Sequence, residues 1–133
     1  MSLFVDTSVF SLAWRRDVAP GVPEVERLKQ ALEYGDQVIT TGLVLQELLQ
    51  GFTGAKSAAA IVARFDSIPL IAPTRADHIE AASLRNRCRR AGVQIATIDA
   101  LLAQLCIGRE LLMLSADQDF ARIAQTSSLR VWK

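Results

Sequence analysis

Four acidic residues stand at the ends of apolar runs or interrupt them, spread over nearly the whole chain: Asp6 in LFVDTS, Glu47 in LVLQELL, Asp99 in IATIDALL and Asp117 in LLMLSADQDF. None belongs to a run of like charges. A carboxylate beside a core costs free energy unless something compensates it, and a divalent cation is the usual compensation. Mg²⁺ and Mn²⁺ are hard cations that prefer oxygen ligands, and Mg²⁺ keeps several of its waters. The pattern therefore suggests a carboxylate-only metal site acting on phosphodiesters. In a two-metal arrangement, one ion generates hydroxide while the other stabilises the leaving oxygen. A single His78 cannot replace such a site, and no His-rich or Cys-rich cluster points to structural zinc.

These acids need elements to carry them. LFVD (3–6) reads as a short buried strand, with Thr7 and Ser8 capping a helix over VFSLAW. PGVP (20–23) is a loop, and Pro23 opens a helix that Gly35 stops near Tyr34. QVITT (37–41) is β-branched and reads as a second buried strand. LVLQELLQ (43–50) is a helix closed by Gly51, paired with a third from Ser57 to about Phe65. IPLIAP (68–73), bounded by prolines, is an edge strand. Thr74 and Asp77 form a capping box for a long helix ending at Gly92. ATIDALLAQLCIG is a helix to Gly108, with Thr97 as its cap. LLMLS (111–115) is the most apolar strand, DFARIAQ a short helix and LRVWK a last strand.

Strands without polar alternation, alternating with helices, point to an α/β fold whose mostly parallel sheet is covered on both faces. Ligand sites in such sheets lie outside the carboxyl ends of the strands. Asp6 and Asp117 follow strands directly, and Glu47 and Asp99 fall on first turns of helices. All four are thereby expected at one rim. With metal absent, like-charge crowding should raise the pKa of at least one of them.

Composition narrows the class. The 133 residues suffice for one domain, expected to span 1–133, and a mean hydropathy of +0.23 is too apolar for disorder. No apolar run approaches the roughly 18 residues of a membrane span, and Asp6 arrives too early for a signal peptide. Cys88 and Cys106 lack metal-ligand spacing and fit a reduced, cytoplasmic protein. A net charge of +1 says little about a nucleic-acid partner, but twelve of the fifteen basic residues are Arg, suited to bidentate phosphate or carboxylate recognition.

The order Asp-Thr-Ser, an isolated Glu about forty residues on, a TxDA helix start and a late S-x-D-x-D-F resembles the PIN-domain ribonucleases, and within them the small VapC-type toxins of prokaryotic toxin–antitoxin pairs. The likeness runs from Leu3 to Val131. It implies a PIN-like three-layer α/β/α sandwich and an Mg²⁺- or Mn²⁺-dependent endoribonuclease leaving a 5′-phosphate and a 3′-hydroxyl. The family's metal-site acids, which are also its catalytic residues, fall on Asp6, Glu47, Asp99 and Asp117. Its hydroxyls fall on Thr7, Ser8 and Ser115, the last where Thr is common. Asp119 takes a supporting place, capping the DFARIAQ helix or hydrogen-bonding behind the ligands, with Asp117 nearer the metal. The resemblance further implies an antitoxin, with a basic side chain near the acids, a homodimer and an RNA substrate.

Plainer accounts exist for single residues. Asp6 suits a strand-end cap, as Asp99 and the Asp117–Asp119 pair suit helix starts; Glu47, with apolar neighbours on both sides, resists one. Arg85 and Arg89, in a run of four Arg within six residues, are either phosphate contacts or a solvated helix face; Arg15 and Arg16 are comparable candidates. Trp14, Phe10 and Phe52 suit base stacking or, more commonly, a core. Part of Leu45, Leu49, Phe52, Ile61 and Phe65 is expected to stay exposed for a partner. The rival functions are a PIN-domain RNA-processing nuclease outside any toxin system and a non-catalytic RNA- or protein-binding module. A haloacid-type phosphatase is discounted, since it needs an Asp where Ser8 stands.

Overall fold

The fold is taken from a computed structural model that describes residues 2–15 and 21–133. Five short strands form one sheet: β1 (Leu3–Val5), β2 (Val38–Thr41), β3 (Leu70–Ile71), β4 (Leu112–Leu114) and β5 (Arg130–Val131), in the order β3-β2-β1-β4-β5. Every pairing is parallel, with Leu3 beside both Val38 and Leu112. Parallel strands need crossover connections, and seven helices among the described residues supply them. These are α1 (Thr7–Trp14), α2 (Pro23–Tyr34), α3 (Gly42–Gly51), α4 (Ala55–Phe65), α5 (Arg75–Arg90), α6 (Thr97–Gly108) and α7 (Gln118–Gln125). The result is a three-layer α/β/α sandwich. Helix α1 packs on α2 and α3, and α3 on α4, while α5 packs on α6 and α6 on α7.

The all-apolar β1 explains its central place. Leu3, Phe4 and Val5 have no exposed surface, as expected of a strand covered on both faces. Thr40, fully buried in β2, spends its hydroxyl on the Val5 carbonyl at 2.8 Å. Phe10, Trp14 and Phe65 form an aromatic cluster between α1 and α4, with centroids 5.0–5.9 Å apart. Arg64 lies 4.9 Å over the Trp14 ring. Cys88 and Cys106 are buried free thiols.

Several local expectations hold. Gly35 ends α2 in the left-handed conformation at φ 77°, where a side chain would strain the backbone. Thr74 and Asp77 make a reciprocal capping box. The proline-bounded strand sits at the sheet edge as β3. Others change. Thr7 and Ser8 do not cap α1; Asp6 is the N-cap residue, and the two hydroxyls donate to the carboxylates of Glu47 and Asp6. Thr97 is the first residue of α6, behind an Ala96 N-cap with no side-chain bond. Gly42 already starts α3, so Glu47 falls on its second turn rather than the first. Ser115 and Ala116 intervene between β4 and Asp117. Ile61 and Phe65, expected in part at the surface, are buried, because α4 turns its apolar stripe onto Phe10 and its neighbours.

Candidate functional site

A parallel sheet puts the carboxyl ends of its strands at one rim, and the acids gather there. Asp6 leaves β1 and is only 5% exposed. Each of its oxygens takes a hydroxyl donor: Ser8 Oγ donates to Oδ1 at 2.6 Å and Ser115 Oγ donates to Oδ2 at 2.8 Å. These hydroxyls in turn accept backbone N–H groups, Ser8 from Ala116 at 2.9 Å and Ser115 from Asp117 at 3.0 Å. The turn after β4 is thereby tied to the end of β1 through two serines. Thr7 Oγ1 donates to Glu47 Oε1 at 2.9 Å, which links α1 to α3. Among the described residues, no buried side-chain nitrogen or oxygen lacks a partner.

Asp117 is the N-cap of α7 and accepts from the Asp119 amide at 2.9 Å. Asp119 therefore does not cap that helix. Its carboxylate stands in front instead: Asp99, Asp117 and Asp119 each offer an oxygen within 4.8 Å of the other two. Asp99 reaches this group from the third position of α6. Arg122 offsets part of the charge with an ion pair to Asp119 Oδ1 at 3.1 Å. The D-x-D spacing of 117 and 119 is the sequence signal that these two carboxylates belong together; it does not say that both face Asp99.

Electrostatics unites the trio with Asp6 and Glu47. Burial, followed by the negative charges of Asp117, Asp119, Asp6 and Glu47, raises the Asp99 pKa from 3.8 to about 6. Burial raises Asp6 from 3.8 to about 6, with Asp117 adding to the rise and the serine hydroxyls opposing it. Several carboxylates crowded together, with oxygen donors alone, suit a hard divalent cation.

The sequence of residues 3–125 matches the PIN domain. The chain belongs to the PIN-domain family. No curated protein matches it. Solved structures do. VapBC-1 of nontypeable Haemophilus influenzae superposes with a TM-score of 0.76 at 18% identity, over 100% of this chain and 98% of that one. VapBC2 of Rickettsia felis, bound to a DNA fragment from its promoter, gives 0.79 at 14% identity over 100% of both chains. VapC20 of Mycobacterium tuberculosis, a toxin that cleaves the sarcin-ricin loop, gives 0.69 at 20% identity over 96% and 98%. At such identities the likeness is one of fold.

Within this PIN domain, the candidate RNA-contacting arginines are dispersed. Arg85 is half-buried and donates from Nε to the Ile95 carbonyl at 2.9 Å, tying α5 to the segment before α6. Arg89 is exposed and bonds Asn86 Oδ1 at 2.7 Å. Arg15 is exposed on a groove with Trp14, Phe52, Lys56 and Arg64, none of which is among the acids. Arg16 lies outside the described residues. Phe10 is wholly buried and cannot stack on a base. His78 lies on the exposed side of α5. No helix among the described residues is long and apolar enough to cross a membrane.

Proposed function

We propose that this chain is a metal-dependent endoribonuclease, the toxin of a prokaryotic toxin–antitoxin pair, and that residues 1–133 act as one nuclease domain. The observation that carries the reading is the meeting of Asp99, Asp117 and Asp119 oxygens within 4.8 Å, with Asp6 and Glu47 close enough to raise the Asp99 pKa. Asp6, Glu47, Asp99 and Asp117 are assigned as the catalytic, metal-holding acids, with Mg²⁺ or Mn²⁺ as the ion. Asp119 joins them as a further ligand. Bound there, the ion supplies Lewis-acid polarisation of the phosphoryl group and a water made nucleophilic near neutral pH.

The chain's own residues prepare that site. Hydroxyls of Ser8 and Ser115 fix both oxygens of Asp6 and so orient its remaining lone pairs toward the rim. Thr7 does the same for Glu47. Ser115 also accepts from the Asp117 amide, which ties the backbone of Asp117 to the Asp6 carboxylate. Arg122, paired with Asp119, lessens repulsion before metal arrives.

The toxin assignment rests on fold neighbours that are VapBC assemblies or a VapC toxin. An antitoxin is the expected partner, and RNA in the cytoplasm the expected substrate. Half-buried Leu45, Leu49 and Phe52 on and just after α3 offer apolar surface to the antitoxin or to a second copy in a homodimer. Induced expression tests this. Wild type should arrest growth and leave cut RNA bearing 5′-phosphates, while Asp6→Asn should do neither. Arrest by both proteins alike, without cut RNA, would refute the assignment.

A further inference from the structure

The substrate must leave the acid cluster in a direction the sheet dictates. Strands β1, β4 and β5 are parallel neighbours, so the residues that follow them line up along one rim. Asp6 follows β1, Ser115 to Asp117 follow β4, and Trp132 and Lys133 follow β5. The Trp132 amide donates to the Met113 carbonyl at 2.8 Å, which holds this last segment against β4. Between it and α7 runs a cavity of about 660 Å³ that shares Ser115 and Asp117 with the acid site. Apolar Ala121, Leu129 and Val131 line it together with polar Gln118, Gln125 and Arg130. Trp132 is half-buried, packed on the core while still lining the cavity, and Lys133 is exposed beside it. Glu24, from the first turn of α2, also lines it.

A nucleotide next to the cleaved phosphate needs what the acid cluster lacks: a flat face for its base and a cation for its own phosphate. Aromatic side chains bind bases of any sequence through their π faces, and amides at the edge add hydrogen bonds. We propose that this groove is the RNA subsite adjoining the cut, with the base against Trp132, Gln118 and Gln125 at its edge, and the next phosphate on Lys133. The proposal rests on the nuclease reading above for the position of the cut, but not for the binding itself.

Of the two tryptophans, Trp14 belongs to the aromatic cluster, so Trp14→Phe leaves Trp132 as the single indole reporter. Titrating that variant in EDTA with a single-stranded oligoribonucleotide of about ten nucleotides should quench its fluorescence saturably and less so at high salt. An unchanged signal, or quenching by an acidic peptide and not by RNA, would overturn the subsite. Trp132→Leu retains an apolar side chain against the core but removes the stacking face. In cleavage with Mn²⁺ it should raise KM by about five- to a hundredfold, with kcat and the Mn²⁺-induced rise in Tm retained. An unchanged KM in an active, folded Trp132→Leu protein would overturn the subsite and leave the nuclease reading standing. If wild type cuts no RNA, the nuclease reading falls, and the EDTA titration alone decides the groove.

Discussion

Asp6 and Asp99 are held where a carboxylate ionises reluctantly. Both titrate near 3.8 in an unfolded chain and near 6 in the fold. Between those values the fold binds more protons than the unfolded chain, so stability falls as pH rises through that window. Metal-free protein should therefore melt higher at about pH 5 than at about pH 7.5. Saturating Mn²⁺ should reverse the order, since it takes up the charge that burial penalises. Equal melting points at both pH values without metal would contradict the strain on these groups. Asp77 lies outside this window. Its pair with Arg109 holds it near 2, so its stabilising contribution is complete above about pH 4 and is lost only as pH falls toward 2. Ser115 is a sharper case. Its hydroxyl donates to Asp6 and accepts from the Asp117 amide. Ser115→Ala should weaken Mn²⁺ binding by roughly 10- to 100-fold, measured calorimetrically, while Ser115→Thr should retain it. Of these residues, the gathering of Asp6, Glu47, Asp99 and Asp117 at one rim was legible in the sequence, because a carboxylate at the edge of an apolar run is anomalous. The frontal place of Asp119 was not. Two acids at i and i+2 beside a helix start read equally as a capping pair, and only the direction of α6 brings Asp99 opposite both.

Helix starts and strand ends show where local rules suffice and where they fail. Thr74 and Asp77 formed the capping box that their spacing announced, with Thr74 at the N-cap itself. Thr7, Ser8 and Thr97 have the same chemistry at helix starts, yet none caps. For Thr7 and Ser8 the reason is visible: they stand inside the first turn of α1, behind the Asp6 N-cap, and their O–H groups donate to Glu47 and Asp6; sequence alone does not bring Glu47 within reach. Asp77 carries a second load. Both its oxygens accept from Arg109 at 2.9 and 3.1 Å, which fastens the start of α5 to the residue just after α6. Asp77→Ala should lose its half of the capping box and the ion pair together and cost ~1–3 kcal/mol in a denaturant or thermal melt. A loss no greater than that of a typical exposed substitution would show that this clasp is idle. At the aromatic cluster, Phe10→Ala should cost ~3–5 kcal/mol, because its ring packs on both Trp14 and Phe65.

For the whole molecule, the alternation of apolar strands with helices was enough to expect a parallel, doubly covered sheet, which the structure has in the order β3-β2-β1-β4-β5. What the sequence did not show is how the rim is shared. The rim beside β5, where Trp132 and Lys133 share a cavity with Ser115 and Asp117, depends on which strands are neighbours, and strand order is set by tertiary packing rather than by local pattern. Likewise Ile61 and Phe65 looked available to a partner until α4 packed on α1, leaving Leu45, Leu49 and Phe52 as the half-covered apolar residues of that region. The central claim concerns the rim: five carboxylates gathered by β1, α3, α6 and the start of α7 hold a metal that cuts RNA. Its most direct test is RNA cleavage by the purified chain, free of any partner, in Mn²⁺ or in EDTA, beside Asp6→Asn and Asp99→Asn. Cutting that requires Mn²⁺ and disappears in both variants is the predicted result. Cutting that persists in EDTA, or survives both substitutions, would contradict it.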